Sequence, residues 1–126
     1  MFADVLAVAA GGAIGSALRF LVTLAAATAL GLGAAGTIAV NVLGCLLIGG
    51  LAEATILGTS MPDRLQLAIR VGLLGGLTTF STFGYEAVVF AEKDGFGPAA
   101  AYVTTNLVLG IGAVCLGIFG IRALYT

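Results

Sequence analysis

The fold of this chain is decided by the stretch Gly75-Gly76-Leu77-Thr78-Thr79-Phe80-Ser81-Thr82-Phe83, which lies near the middle of an apolar run from Leu65 to Phe90. Adjacent glycines weaken a helix, and a helix that breaks leaves backbone N–H and C=O groups without partners. In a bilayer those groups must meet protein, water or an ion, because hydrocarbon forms no hydrogen bonds. The stretch therefore predicts a broken membrane helix beside an ion site. The alternative is a kinked helix packed through small residues, with Ser and Thr bonded to their own helix.

The composition is that of an integral membrane protein. Of the 126 residues, 60% are hydrophobic and only 9% are charged, whereas about a quarter of an ordinary globular chain is charged. A net charge of −1 without a basic tract argues against nucleic acid as a partner, since phosphate binding needs clustered Lys and Arg. Cys45 and Cys115 lie in separate apolar runs and the chain has no histidine, so we expect both cysteines to be small packing residues.

Four apolar stretches are long enough for membrane-spanning helices, which need about 20 residues each. We expect one transmembrane domain over residues 1–126, with helices at about 5–29, 35–57, 65–91 and 98–123. The predicted fold class is an all-α membrane protein with four transmembrane helices, the third broken at mid-membrane. Twenty glycines, among them the pair Gly11 and Gly15, would let helix backbones approach closely within one subunit and between subunits.

The distribution of positive charge gives little preference for one orientation in the membrane. Four spans place both termini on one side, where Arg64 and Arg122 fall, while Lys93 falls on the other side. Orientation follows the Lys and Arg excess of cytoplasmic loops. An excess of one or two residues permits insertion in both orientations, although a single orientation is also open.

The polar residues of the apolar runs have two interpretations each. The long side chain of Arg19 either extends so that its guanidinium lies at the membrane interface, or it places the guanidinium in an entrance vestibule, where the positive charge attracts anions. Asn41 is either a clamp between helices or an NH₂ donor to an anion. We expect Glu53 and Arg70 to be interfacial. In the fourth span we expect hydrogen bonds between helices from Tyr102, Thr104, Thr105 and Asn106.

Two phenylalanines of the third span, Phe80 and Phe83, lie three positions apart. Phe80 and Phe83 would face lipid in an ordinary membrane helix, but the positive edge of an aromatic ring can also face an anion. Carbonyls freed by a break between Gly75 and Thr78 would instead coordinate a hard cation such as Na⁺.

These segments resemble the Fluc family of small bacterial fluoride channels over the whole chain. The resemblance is carried by Gly-Thr-Ile-Ala-Val-Asn-Val-Leu-Gly at 36–44, by the stretch at 75–83, and by Gly12-Ala13-Ile14-Gly15 followed by Arg19-Phe20. It implies a multi-pass protein of the bacterial inner membrane that exports fluoride passively. It also implies an antiparallel, dual-topology homodimer with two fluoride pathways lined by both subunits.

The resemblance also assigns roles to residues. Phe80 and Phe83 would turn ring edges to fluoride, Asn41 would donate from its amide, and Arg19 would make the vestibule positive. The rest of the fluoride pathway would be Ser81, Thr82, Tyr102 and Glu86. Backbone carbonyls of Gly75 and Thr78, from both subunits, would hold a structural Na⁺ at the dimer centre.

Other classes of function fit less well. A small four-helix proton-coupled multidrug transporter needs a titratable carboxylate in an early span, and none lies between Val5 and Leu51. A structural subunit without transport leaves the polar stretch unexplained. We expect no enzyme, because the chain lacks histidine and paired central carboxylates.

Overall fold

The computed structural model describes residues 1–125 as helices joined by short connections, with no strand among them. The helices are α1 (Phe2–Leu30), α2 (Gly33–Ile56), α3 (Asp63–Leu67), a π-helical segment (Ala68–Leu73), α4 (Leu74–Leu77), α5 (Phe80–Lys93) and α6 (Phe96–Leu124). Four stretches are long and apolar enough to cross a membrane, namely Phe2–Leu30, Gly33–Ile56, Asp63–Lys93 and Phe96–Leu124. The predicted all-α fold with four spans is confirmed.

The third span differs in detail from the expectation. Gly75 and Gly76 remain helical within α4, and the extended residues are Thr78 (φ −80°, ψ 157°) and Thr79 (φ −150°, ψ 120°). A Cβ added at Gly76 would lie 2.6 Å from the carbonyl oxygen of Gly12, so this glycine allows close helix packing. The interruption therefore lies one turn later than the glycines, at two threonines that favour extended backbone.

Glycines set the distance between α1 and the third span. Gly11 and Gly15 are buried, and a side chain at either would overlap the carbonyl oxygen of Ala68 or Leu73. Next to this contact lies a small core of Val40, Leu74 and Leu77. The glycine pair of the first span therefore packs helices within one subunit.

The beginning of α1 contacts α3, and Tyr125 after α6 contacts the connection between α2 and α3. Arg64 pairs with Asp4 near the N-terminus at 3.1 Å, and the hydroxyls of Thr59 and Tyr125 lie 2.7 Å apart. Glu53, which was predicted to be interfacial, lies near the end of α2 with its side chain buried against α6. Arg122 of α6 donates to both carboxylate oxygens of Glu53, at 2.7 and 3.3 Å, and this partner makes the burial of the charge possible.

Candidate functional site

Asn41 of α2 fixes the extended backbone between α4 and α5. Its Oδ1 accepts from the Thr79 N–H at 2.8 Å, and its Nδ2 donates to the Thr79 carbonyl at 3.1 Å. The same Nδ2 also donates to Oδ1 of Asn106 on α6, at 3.1 Å. The amide thus replaces the backbone hydrogen bond that the Thr79 N–H has lost, adds a donor to the Thr79 carbonyl, and ties α2, α5 and α6 together.

Arg19 of α1 reaches the same interruption. Its Nη1 donates to the Thr78 carbonyl at 3.1 Å, and the residue is half-buried. Thr78 closes α4 on its other side, because its N–H and its Oγ1 both donate to the Leu74 carbonyl, at 3.0 and 2.9 Å. The contact with Thr78 places the guanidinium of Arg19 between α1 and the third span, inside the helix bundle.

Hydroxyl groups cluster at the start of α5. Thr79 caps this helix, since its Oγ1 accepts from the Thr82 N–H at 3.2 Å. The same hydroxyl donates to Thr82 Oγ1 at 3.0 Å and lies 3.3 Å from Ser81 Oγ. The predicted polar residues Ser81 and Thr82 therefore share one hydrogen-bonded group with Thr79.

Glu86 lies one helical turn beyond Thr82 and has two partners from other helices. Thr37, which is fully buried in α2, donates to Glu86 Oε1 at 3.1 Å, and the Tyr102 hydroxyl of α6 donates to Oε2 at 2.5 Å. The predicted neighbours Glu86 and Tyr102 are thus in direct contact. The carboxylate is held by two hydroxyl donors, so both of its oxygens have protein partners.

Aromatic rings continue from the interruption towards α6. The ring centroids of Phe80 and Phe83 are 5.5 Å apart with an interplanar angle of 59°, and Phe83 lies 5.7 Å from the Tyr102 ring. Phe83 is buried, whereas Phe80 is 79% exposed in the single subunit. Tilted rings at these distances turn edges as well as faces to the space between them.

Two cavities meet at Thr79, the one residue that lines both. The aromatic cavity, of about 380 Å³, has predicted site residues in its wall, namely Asn41, Gly75, Thr78, Phe80 and Phe83. The hydroxyl cavity, of about 370 Å³, is lined by the predicted residues Arg19, Ser81, Thr82 and Glu86. The structure therefore divides the predicted pathway into two neighbouring groups, with Tyr102 contacting members of both.

The backbone around the interruption offers carbonyl oxygens. In a continuous helix the Thr79 N–H would donate to Gly75 and the Thr82 N–H to Thr78, but here they donate to Asn41 Oδ1 and Thr79 Oγ1. The Gly75 and Thr78 carbonyls thus lose their usual helical donors. Arg19 supplies one hydrogen bond to the Thr78 carbonyl in their place. Carbonyl oxygens such as these are suitable ligands for a hard cation. Among residues 1–125 no cluster of three His, Cys, Asp or Glu side chains offers another metal site.

Sequence reasoning missed three residues that the structure brings to the site. Thr79 carried a signal, because threonine is a favoured N-cap residue at the start of a helix. For Thr37 and Asn106 the only signal in the sequence was a polar side chain within an apolar run. Asn106 does make the expected hydrogen bond between helices, but its contact with Asn41 was not readable from a separation of 65 residues.

Comparison with known proteins identifies relatives over almost the whole chain. The sequence profile of the CrcB-like proteins, described as Camphor Resistance (CrcB), matches residues 6–118. Proteins named fluoride-specific ion channel FluC are similar to this chain. The Nitrobacter winogradskyi protein is 40% identical over 121 residues, which cover 95% of this chain and 96% of the relative. The Chloroflexus aurantiacus protein is 40% identical over 116 residues, 91% and 92% of the two chains. The Caulobacter vibrioides protein is 38% identical over 122 residues, 95% and 96% of the two chains.

Proposed function

This chain belongs to the CrcB-like protein family, and we propose that it is a fluoride-selective ion channel that lets F⁻ leave the cytoplasm passively. Four apolar spans make it a multi-pass membrane protein, and its relatives place it in the bacterial inner membrane. A channel catalyses no reaction, so the protein is not an enzyme.

One observation carries this proposal. An interrupted span, held open by Asn41 and Arg19, borders two cavities whose walls are aromatic rings and hydroxyls. Ring edges and hydroxyl donors can replace part of the hydration shell of a small anion, and a half-buried guanidinium favours entry of negative charge. The carboxylate of Glu86, which lines the hydroxyl cavity, accepts hydrogen bonds from the hydroxyls of Thr37 and Tyr102.

A two-subunit assembly completes the site in this proposal. Phe80 is 79% exposed and Gly75 is exposed, although both line the aromatic cavity. A second copy covering them would enclose the pathway. The weak charge bias permits the antiparallel, dual-topology arrangement, in which a two-fold axis in the membrane plane brings both interruptions to mid-membrane. We therefore propose a homodimer of the whole chain, residues 1–126, as a single transmembrane domain.

The interruption provides a place for a structural Na⁺ at the centre of this dimer. The Gly75 and Thr78 carbonyls of each subunit would hold the ion, because they have lost their helical partners and hydrocarbon offers none. When bound, the cation supplies positive charge that satisfies carbonyls from both subunits. Arg19 of the same subunit donates to the Thr78 carbonyl and helps to hold it in place.

Export needs no energy source in this account. The weak acid HF enters cells and releases F⁻ at cytoplasmic pH, and a negative-inside potential favours the outward movement of an anion by about 2.3 kcal/mol per 100 mV. A passive pathway therefore suffices.

Fluoride efflux from proteoliposomes tests the proposal. Vesicles are loaded with potassium fluoride or potassium chloride, and a potassium ionophore is added to allow net anion release. We expect rapid loss of fluoride from protein-containing vesicles and none above the protein-free background for chloride. Equal release of both anions would contradict selectivity, and absence of fluoride release would contradict the channel itself.

A further inference from the structure

Arg70 of the π-helical segment carries a charge at membrane depth. Thr78 lies at the midpoint of the span Asp63–Lys93, and Arg70 precedes it by eight residues, about 12 Å along a helix. The hydrocarbon core extends about 15 Å on each side of its centre, so the backbone of Arg70 lies within it. The side chain is half-buried, and within residues 1–125 it has no ion pair and no hydrogen bond. An arginine at this depth either lines an ion pathway or extends to the membrane interface.

Arg70 joins two cavities. It lines the aromatic cavity, which also contains Phe80 and Phe83. It also lines a third cavity of about 460 Å³, the portal cavity, whose walls are Asp63, Gln66, Leu67, Arg70 and Val71. Among the described residues Arg70 is the one that these two cavities share, just as Thr79 is shared by the aromatic cavity and the hydroxyl cavity.

The three cavities follow one another across the membrane. The hydroxyl cavity is lined by Gly33, the first residue of α2, and by Glu86, which follows Thr78 by eight residues. The portal cavity is lined by Asp63, the first residue of α3. Because α2 crosses the membrane before the chain reaches α3, the hydroxyl and portal cavities lie on opposite sides of the interruption. The aromatic cavity connects them.

The π-helical segment brings Arg70 to the wall of the aromatic cavity. At its end the Leu74 N–H donates to the Ile69 carbonyl, five residues earlier, whereas an α-helix joins residues four apart. Such a turn contains more residues, so Arg70 and Gly75 fall on the same side, and both line the aromatic cavity. Helical turns of this kind are frequent at functional sites.

We propose that Arg70 is a second cation of the fluoride pathway and that the portal cavity is the opening of this pathway on the side of the chain termini. The hydroxyl cavity contains the guanidinium of Arg19, and Arg70 supplies a positive charge on the other side of the interruption. Two such charges lower the electrostatic barrier for an anion on both sides of the membrane centre. Asp63 opposes this attraction only weakly, because it is exposed to solvent and screened by salt. The inference rests on the proposed function, since it names a further residue of the same pathway.

Charge substitutions at position 70 test the cation in proteoliposomes. Arg70→Gln removes the charge and should lower fluoride efflux about tenfold at low ionic strength, the smaller end of the effect of focused charge on association rates. Arg70→Lys retains the charge and should keep most of the efflux. Added potassium gluconate should reduce the difference between Arg70→Gln and wild type, because mobile ions screen the charge. Equal efflux from Arg70→Gln and wild type would overturn the proposal, as would an equal, salt-independent loss in the Gln and Lys variants.

Arg64 provides the matched control. It lies six residues before Arg70, is exposed, pairs with Asp4 at 3.1 Å and lines none of the three cavities. Arg64→Gln should therefore retain wild-type efflux. Thermal unfolding of each variant in detergent, followed by circular dichroism, shows whether a loss of efflux comes from a loss of folded protein, and Arg70→Gln should unfold at the wild-type temperature.

A pair of opposite charges at Gln66 tests the opening. Gln66 is half-buried in the wall of the portal cavity, and its Nε2 donates to the Met61 carbonyl at 3.1 Å. Gln66→Glu should lower fluoride efflux at low ionic strength and Gln66→Lys should raise it, whereas a disturbance of packing would change both in the same direction. Changes of the same sign, or wild-type efflux from both variants, would remove the portal cavity from the pathway.

The outcomes separate this inference from the proposed function. Wild-type protein that releases fluoride, together with unchanged efflux in the Arg70 and Gln66 variants, leaves the channel standing and removes the portal. Wild-type protein that releases no fluoride removes both.

Discussion

Arg19 donates to the carbonyl oxygen of Thr78 across 3.1 Å, and so the single arginine of α1 is bonded to the backbone of the interrupted third span. A guanidinium has several donors in a fixed plane, so one N–H can hold a carbonyl while its charge still acts on the hydroxyl cavity beside it. In the proposed channel Arg19 would therefore have two roles, holding the Thr78 carbonyl and attracting anions to the hydroxyl cavity.

Two replacements of Arg19 should separate these roles. Arg19→Gln keeps an NH₂ donor for Thr78 without the charge, and Arg19→Leu removes both. We expect Arg19→Gln to lower fluoride efflux about tenfold at low ionic strength and to remove its salt dependence, because the attraction of anions is electrostatic. Arg19→Leu should in addition lower thermal stability. Efflux from Arg19→Gln that equals wild type at every salt concentration would contradict the electrostatic role.

Asn41→Leu should destabilise the protein through Thr79. The replacement leaves the buried Thr79 N–H without a partner, at about 1–3 kcal/mol, and removes one of the donors to the Thr79 carbonyl. The measurement is thermal unfolding in detergent, followed by circular dichroism. Asn41→Asp keeps an acceptor for the Thr79 N–H but turns a carboxylate oxygen to two acceptors, the Thr79 carbonyl and Asn106 Oδ1, so it should not restore the lost stability. A Leu variant as stable as wild type would show that the extended backbone does not depend on this amide.

The two phenylalanines should respond differently to replacement by isoleucine. Both variants should lower fluoride efflux about tenfold, the effect of losing about 1.4 kcal/mol of ring-edge contact. Only Phe83→Ile should also lower subunit stability, by about 0.5–3 kcal/mol, because Phe83 is buried and Phe80 is exposed. Phe90→Ile is the control, since Phe90 packs on Tyr102 but lines neither cavity. Unchanged efflux in both pathway variants, measured in proteoliposomes, would remove the rings from the mechanism.

The adjacent glycines provide a matched test of assembly. A Cβ at Gly76 meets the Gly12 carbonyl oxygen at 2.6 Å, whereas a Cβ at Gly75 has no atom within 4 Å in the subunit. Gly76→Ala should therefore lower the yield of folded protein. Gly75→Ala should fold normally but weaken the dimer, because Gly75 lies where the second copy is proposed. Size-exclusion chromatography with light scattering distinguishes the two, and a fully dimeric Gly75→Ala would argue against an interface at that position.

Much of the fold was predictable because bilayer thickness sets the length of an apolar run. The four spans follow from that length. In the structure α1 ends at Gly31, which adopts a left-handed φ of 67°. The purpose of each glycine was not predictable. Gly76 serves packing against α1, and the extended backbone falls on Thr78 and Thr79, because close packing and helix breaking favour the same residue type.

The site was predictable in its residue types but not in its partners. Asn41 and Thr79 are separated by 38 residues, and Glu53 and Arg122 by 69, so their contacts depend on how helices pack. Glu53 stands near the end of an apolar run, which suggested the interface. The sequence did not show that the packing of α2 on α6 buries this side chain beside Arg122.

The reversal potential of fluoride current tests the central claim most directly. The purified protein is placed in a planar bilayer with a tenfold gradient of potassium fluoride and then with an added pH gradient. We predict a reversal potential near the fluoride equilibrium value of about 59 mV, unchanged by the pH gradient. A potential that moves with pH, or a bilayer that carries no fluoride current, would contradict a passive fluoride channel.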